Sequence, residues 1–146
     1  MSYEERNTWV FAVIAPLGYT VYLVLLFSQL GGRPLAEANY VWPMVGTILG
    51  AIVVGILGGI AVGIVSGIAD PKEAGKSDLR DKQIGRFGEQ VGNSFIVIGA
   101  LGALILCFFS APHFWIANLL YLCFVLAGIL SSLAKLAAYR RGLHEW

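Results

Sequence analysis

The chain has 146 residues, of which 58% are hydrophobic and only 13% are charged, against about 25% charged residues in an average soluble domain. This small number of polar side chains cannot cover the surface of a soluble globule of this length. The composition therefore argues against a soluble protein and predicts a membrane protein. The formal net charge of +1 gives no support to nucleic-acid binding, and the two cysteines form no CxxC pair and no disulfide framework.

Four apolar segments are each long enough to cross about 30 Å of hydrocarbon as a helix. The last two share one uncharged run that Pro112 interrupts, because proline cannot continue a helix. Only helices and closed barrels span lipid, and these runs are too long for barrel strands. The spans are predicted at Trp9 to Leu30, Tyr40 to Gly67, Val91 to Ser110 and Phe114 to Leu136. The predicted fold is all-α: a single polytopic domain over residues 1–146, with four transmembrane helices in a bundle.

The basic residues are distributed unequally between the two sides of this topology. Nine of the ten lie near the termini or in the loop at residues 70–90, and only Arg33 lies in a loop on the opposite side. The positive-inside rule then places both termini in the cytoplasm. The first span is expected to be retained rather than cleaved as a signal peptide, because Glu4 and Glu5 precede it.

The second span carries a stripe of small residues with a spacing of four. Such a stripe forms a shallow groove that lets another helix approach closely, so it predicts a helix-packing or assembly surface. Two interpretations stay open: the groove packs against another span of the same chain, or it binds a second copy or a membrane partner. The stripe consists of Ala51, Gly55, Gly59, Gly63 and Gly67. Weaker pairs of small residues occur in the third and fourth spans, and the tight turn between these spans predicts an antiparallel hairpin. The pairs are Gly99 with Ala103, Ala127 with Ser131 and Gly128 with Ser132.

The second half of the loop at residues 70–90 has the features of a short cytoplasmic amphipathic helix that leads into the third span. Ser77 is the expected N-cap, and Asp78 and Lys82 form a favourable i,i+4 pair. The loop is expected either to be a solvated segment that only sets the topology or, together with the chain end, to contact a cytoplasmic protein or anionic lipid. The residues predicted for such contacts are Asp78, Arg80, Asp81, Lys82, Arg86, Arg140 and Arg141.

Catalytic chemistry has no sequence signature in this chain. No charged residue lies between Trp9 and Leu30, between Tyr40 and Gly67, or between Val91 and Ala134, whereas transporters of charged solutes commonly keep one inside a span. No catalytic, metal-binding or cofactor-binding motif is present, so no catalytic residue, metal or cofactor is predicted. The polar residues within the spans are expected to hydrogen-bond between helices. These are Ser94, Asn118, Tyr121, Ser131 and Ser132.

Five segments carry a resemblance over most of the chain: EERNTWV, PLAEANYV, SDLRDKQIGRFGEQVG, HFWIANLLYL and AKLAAYRRG. With them the chain resembles a group of small bacterial tetraspan membrane proteins of unknown function. The resemblance implies location in the plasma (inner) membrane. Some similar proteins lie beside small helix-turn-helix regulators, which implies a cytoplasmic partner. It implies no reaction and no functional residue.

The sequence as a whole predicts a non-enzymatic accessory or sensor-like subunit that acts through helix packing and a cytoplasmic docking loop. The alternative is a small transporter or channel for a neutral or apolar solute. A third class, a membrane enzyme acting on lipid, would need Asn118, Tyr121 and His113 to cluster at one depth.

Overall fold

The computed structural model describes residues 3–69 and 78–142. They form helices α1 (Tyr3–Ser28), α2 (Val41–Ala69), α3 (Leu79–Phe108) and α4 (His113–Arg141), with one 3-10 turn at Leu35–Glu37. All four helices are long and apolar enough to span a membrane. The predicted all-α, multi-pass architecture is confirmed. We call the side with the start of α1 and the end of α4 the terminal end, and the opposite side the turn end.

The helices lie in the spatial order α2, α1, α4, α3. Helix α1 packs between α2 and α4, and α4 packs between α1 and α3. The hairpin of α3 and α4 has the most extensive interface of the three. The buried core lies near the turn end and contains Tyr22, Leu26, Phe114 and Tyr121. Most other large apolar side chains are exposed on the outer faces, as lipid contact requires.

Helix α3 begins at Leu79 because Asp78 caps it. The Asp78 carboxylate accepts a hydrogen bond from the backbone N–H of Leu79 at 2.7 Å, and Asp81 accepts one from the N–H of Asp78 at 3.3 Å. This reciprocal arrangement is a capping box. Ser77, the predicted N-cap, lies outside the described residues. The predicted amphipathic segment is helical and continues without a break into the third span.

The turn between α3 and α4 is a Schellman motif. The N–H of Ser110 donates to the carbonyl of Cys107 at 3.0 Å, and the N–H of Ala111 donates to the carbonyl of Leu106 at 2.9 Å. Ser110 has a φ of 49°, a left-handed conformation in which glycine is the usual residue. Pro112 then precedes α4. The short turn holds the two helices antiparallel.

Substituting glycine for Ser110 is expected to raise the free energy of unfolding by about 0.5 to 1 kcal/mol, because glycine adopts positive φ without a steric cost. Equilibrium unfolding in mixed micelles of dodecyl maltoside and sodium dodecyl sulfate, followed by circular dichroism, measures the change. Ser110→Ala is the matched control, since it keeps the Cβ atom. Equal stability of the two variants would show that the turn is not strained.

Candidate functional site

The stripe of small residues on α2 lies against α1. A methyl group added at Gly55 would lie 3.0 Å from the ring of Phe11, and one added at Gly59 would lie 3.5 Å from Oδ1 of Asn7. The same contact line continues in both directions: Gly63 faces Tyr3, and Ala51 faces Gly18. Gly67 is half-buried in the last turns of α2. The stripe therefore brings α1 and α2 close together within one chain, and its role in assembly with a second copy stays a prediction.

Asn7 is a polar residue inside this interface that the sequence analysis did not single out. Its side-chain oxygen is buried, and no hydrogen-bond donor reaches it from the described residues. This oxygen lies beside α2, where a methyl group added at Gly59 would be 3.5 Å away. Asn7 precedes the predicted start of the first span at Trp9, so it was not among the polar residues found inside the predicted spans.

A polar and aromatic cluster joins α1, α2 and α4 near the turn end. The hydroxyl of Tyr22, which is fully buried, donates to the side-chain oxygen of Asn118. The Asn118 amide in turn donates to the carbonyl of Phe114 at 2.8 Å. Thr47 donates to the carbonyl of Pro43 at 2.8 Å and lies 3.1 Å from the hydroxyl of Tyr121, so the tyrosine is the donor in that pair.

The aromatic rings of this cluster pack edge to face. Tyr121 lies 5.0 Å from Tyr22 and 5.5 Å from Tyr19 between ring centroids, a favourable arrangement for aromatic quadrupoles. Asn118 and Tyr121 therefore bond between helices, as predicted, whereas Ser94 bonds the carbonyl of Gln90 in its own helix at 3.0 Å. The hydroxyls of Tyr22 and Tyr121 are hydrogen-bonded to side chains of other helices, so the cluster links α1, α2 and α4.

The three residues that a lipid-acting enzyme would need at one depth lie at different levels along α4. His113 is exposed at the first residue of α4, whereas Asn118 and Tyr121 lie further along the helix and bond to α1 and α2. Within residues 3–69 and 78–142, no group of three His, Cys, Asp or Glu side chains could hold a metal ion.

The interface of α3 and α4 is the tightest contact between helices. A methyl group added at Gly92 would lie 3.0 Å from the backbone oxygen of Ala127, and one added at Gly99 would lie 2.5 Å from Cβ of Cys123. Gly88 makes room for the aliphatic chain of Lys135. Gly88 was not among the packing residues predicted from the sequence. Its spacing of four from Gly92 was the overlooked signal of a packing surface.

A groove of about 410 Å³ separates α1 from α2 toward the turn end. Gly46 and Gly50 form part of its wall, and a methyl group added at either would meet no atom within 4 Å. Trp42 lines it near the turn end and is 75% exposed. The other lining residues are Ile14, Leu17, Gly18, Val21, Leu25, Pro43, Thr47, Ala51 and Val54. The groove is thus apolar and open toward lipid.

At the terminal end, side-chain contacts connect the four helices in their spatial order. Arg6 donates to the hydroxyl of Ser66 at 3.4 Å and joins α1 to α2. The guanidinium of Arg140 lies 5.8 Å from the ring centre of Trp9 and joins α4 to α1. The hydroxyl of Tyr139 donates to Asp81 at 2.9 Å and joins α4 to α3. Each pair of neighbouring helices is therefore linked at this end.

The residues predicted to contact a partner fall into two groups. Four are used inside the chain: Asp78 caps α3, Asp81 accepts from Tyr139, Arg80 donates to the Tyr139 carbonyl at 3.4 Å, and Arg140 lies over Trp9. The other three side chains, Lys82, Arg86 and Arg141, are exposed. Asp81 and Tyr139 thus connect the start of α3 to the end of α4, while Lys82 and Arg86 lie on the exposed surface of α3.

In comparisons with known proteins, the chain matches no protein-family model, no curated protein and no solved structure. The resemblance to small bacterial tetraspan proteins therefore stays a prediction, and the functional argument rests on the geometry above.

Proposed function

We propose that this protein is a non-enzymatic accessory or sensor-like subunit of the plasma membrane, and that a cytoplasmic protein with an acidic surface docks on the projecting start of α3. The terminal end faces the cytoplasm in this proposal, since nine of the ten basic residues are expected there. The single observation that carries the proposal is that α3 is capped at Asp78 and runs unbroken from Leu79, twelve residues before the predicted start of the third span at Val91.

The length of α3 supports this geometry. With Val91 to Ser110 in the hydrocarbon, the twelve residues from Leu79 to Gln90 extend about 18 Å further along the axis. The headgroup region adds only about 5 to 8 Å on each side of the hydrocarbon. The first turns of α3 would therefore stand in water, where a protein can reach them more readily than a lipid headgroup.

The surface of this projection favours an acidic protein partner. Leu79 is 76% exposed, and Lys82 and Arg86 are exposed on the same segment. Asp78 and Asp81 accept hydrogen bonds from Leu79 and Tyr139, and Glu89 is exposed one turn after Arg86. The exposed Leu79, with Lys82 one turn and Arg86 two turns further along the helix, offers an apolar contact next to positive charge, which complements acidic residues on a partner.

Photo-crosslinking in native membranes tests the proposal. A chain with a photoreactive residue in place of Leu79 is expected to form one protein adduct, and the double charge reversal Lys82→Glu and Arg86→Glu is expected to abolish it. These side chains are exposed, so the variant should keep the helical circular dichroism and the micelle elution volume of the original chain.

The matched control is Arg33→Glu, a charge reversal of an exposed arginine at the turn end. It is expected to leave the adduct from position 79 unchanged. A chain that crosslinks only to lipid at position 79, or an adduct that survives the double reversal, would contradict a docking role for this helix.

The alternative from the sequence, a small transporter or channel, gains no specific support. The groove between α1 and α2 opens sideways into lipid, and the polar groups between α1, α2 and α4 are bonded to one another. Neither feature favours a path for a solute across the bilayer.

A further inference from the structure

We propose that the groove between α1 and α2 holds one acyl chain of a phospholipid from the leaflet at the turn end, with the lipid phosphate bound at Arg33. This ligand site is independent of the docking role of α3, because it lies on other helices and at the opposite end of the molecule.

The length of the groove fits one leaflet. From Trp42 to Val54 the lining residues of α2 cover about 18 Å of helix axis, and half of the hydrocarbon core is about 15 Å. At the inner end of the groove the two helices close against each other: Gly18 meets Ala51, Phe11 meets Gly55 and Val10 meets Gly58. A transmembrane helix would have to continue past this closure, whereas an acyl chain ends near the bilayer midplane.

Gly46 and Gly50 form part of the groove wall, and no other part of the described chain packs against them. Glycine is less favourable than alanine in a helix interior, and Gly46 and Gly50 have open space where a side chain would stand. Thr47, the one hydroxyl residue of the lining, turns its donor to the Pro43 carbonyl and its oxygen to Tyr121. An occupant therefore meets an almost wholly apolar surface.

The connection between α1 and α2 supplies the polar end of the site. Arg33 lies in this connection, is exposed, and is the only lysine or arginine expected on this side of the membrane. Leu25 and Trp42 mark the end of the groove nearest to that connection. A cation in the connection at this end of an apolar groove is complementary to a phosphate with an attached acyl chain, and tryptophan favours the headgroup level.

Native mass spectrometry of the protein in nanodiscs tests the site. The nanodiscs contain phosphatidylglycerol, phosphatidylethanolamine or diacylglycerol with identical acyl chains in a phosphatidylcholine background. The original chain is expected to retain one phospholipid after release, and to retain it more often than diacylglycerol. The double variant Gly46→Leu and Gly50→Leu, whose new side chains fill the groove, is expected to lose that bound lipid.

Gly85→Leu is the control, because Gly85 also lies in a helix with no atom within 4 Å of an added methyl group; it is expected to keep the lipid. Arg33→Ala is expected to remove the preference for phospholipid over diacylglycerol. Lipid retention by the groove-filling variant, or equal retention of both lipid classes by the original chain, would overturn the proposal. So would a disulfide-linked dimer through Gly50→Cys in a Cys107→Ser, Cys123→Ala chain, since it would place a second copy in the groove.

Discussion

The substitution Gly92→Val is expected to lower the free energy of unfolding by about 3 kcal/mol, at the upper end of the usual cost of overpacking. The added Cβ would lie 3.0 Å from the backbone oxygen of Ala127 and 3.2 Å from Cβ of Ser131. A flexible side chain could move aside, but a backbone carbonyl inside α4 cannot move without displacing the helix. Unfolding in mixed micelles measures the loss, and disulfide trapping of paired cysteines across α3 and α4 measures their separation.

Gly85→Val is the matched control for this prediction. Gly85 lies seven residues earlier in the same helix and has no atom within 4 Å of an added methyl group, so the same substitution there changes helix propensity without a clash. Its expected effect on stability is within about 0.5 kcal/mol of zero. Equal destabilisation by the two variants would mean that α3 and α4 do not pack as closely as described.

The architecture could be predicted from the sequence because lipid imposes few solutions. Long uncharged runs must be helical, and a single proline at position 112 was enough to divide the longest run into two spans. Helix ends were less predictable. Helix α1 extends beyond its predicted span before Trp9, helix α3 before Val91 and helix α4 after Leu136, since backbone hydrogen bonding and caps, not hydropathy, decide where a helix ends in the headgroup region.

Pairing of the helices was harder to predict than their existence. The spacing of Gly55 and Gly59 indicated a close contact, but a groove made of small residues carries no information about which helix fills it. In the structure the small residues of α2 contact α1, at Phe11 and Asn7. The spatial order α2, α1, α4, α3 follows from three such helix–helix contacts. None of these contacts has a pattern of charge or polarity from which the partner helix could be predicted.

The candidate sites were predictable only in part for a related reason. The charged residues indicated that the start of α3 is a candidate site. The sequence could not show that Asp81 and Arg80 hydrogen-bond to Tyr139 while Lys82 and Arg86 are exposed. That division depends on α4 lying beside α3 at the same depth. The α1–α2 groove left no periodic signal, because its wall combines residues of two helices that are distant in sequence.

Tyr22→Ala is expected to lower the free energy of unfolding by about 2 to 3 kcal/mol. The ring of Tyr22 is fully buried and packs against Tyr19 and Tyr121, with centroids 6.0 and 5.0 Å away. Truncating a buried aromatic ring in a soluble core costs about 3 to 5 kcal/mol. The cost is lower here, because the ring stays in lipid when the helices separate and only packing and one hydrogen bond are lost. Mixed-micelle unfolding again provides the measurement.

Tyr22→Phe separates the hydrogen bond from the packing of the ring. It keeps the aromatic contacts and removes the donor to Asn118, so the expected cost is about 0.6 kcal/mol and at most about 1.7 kcal/mol. A double-mutant cycle of Tyr22→Phe with Asn118→Leu should return a coupling energy of that size. In the control cycle of Tyr22→Phe with Ser94→Ala, the two changes in unfolding free energy should add, because Ser94 is on α3, which does not pack along α1 in the described residues. A zero coupling between Tyr22 and Asn118 would remove the hydrogen bond as a link between α1 and α4. Near the turn end, the α1–α4 interface would then depend on aromatic packing, which Tyr22→Ala measures separately.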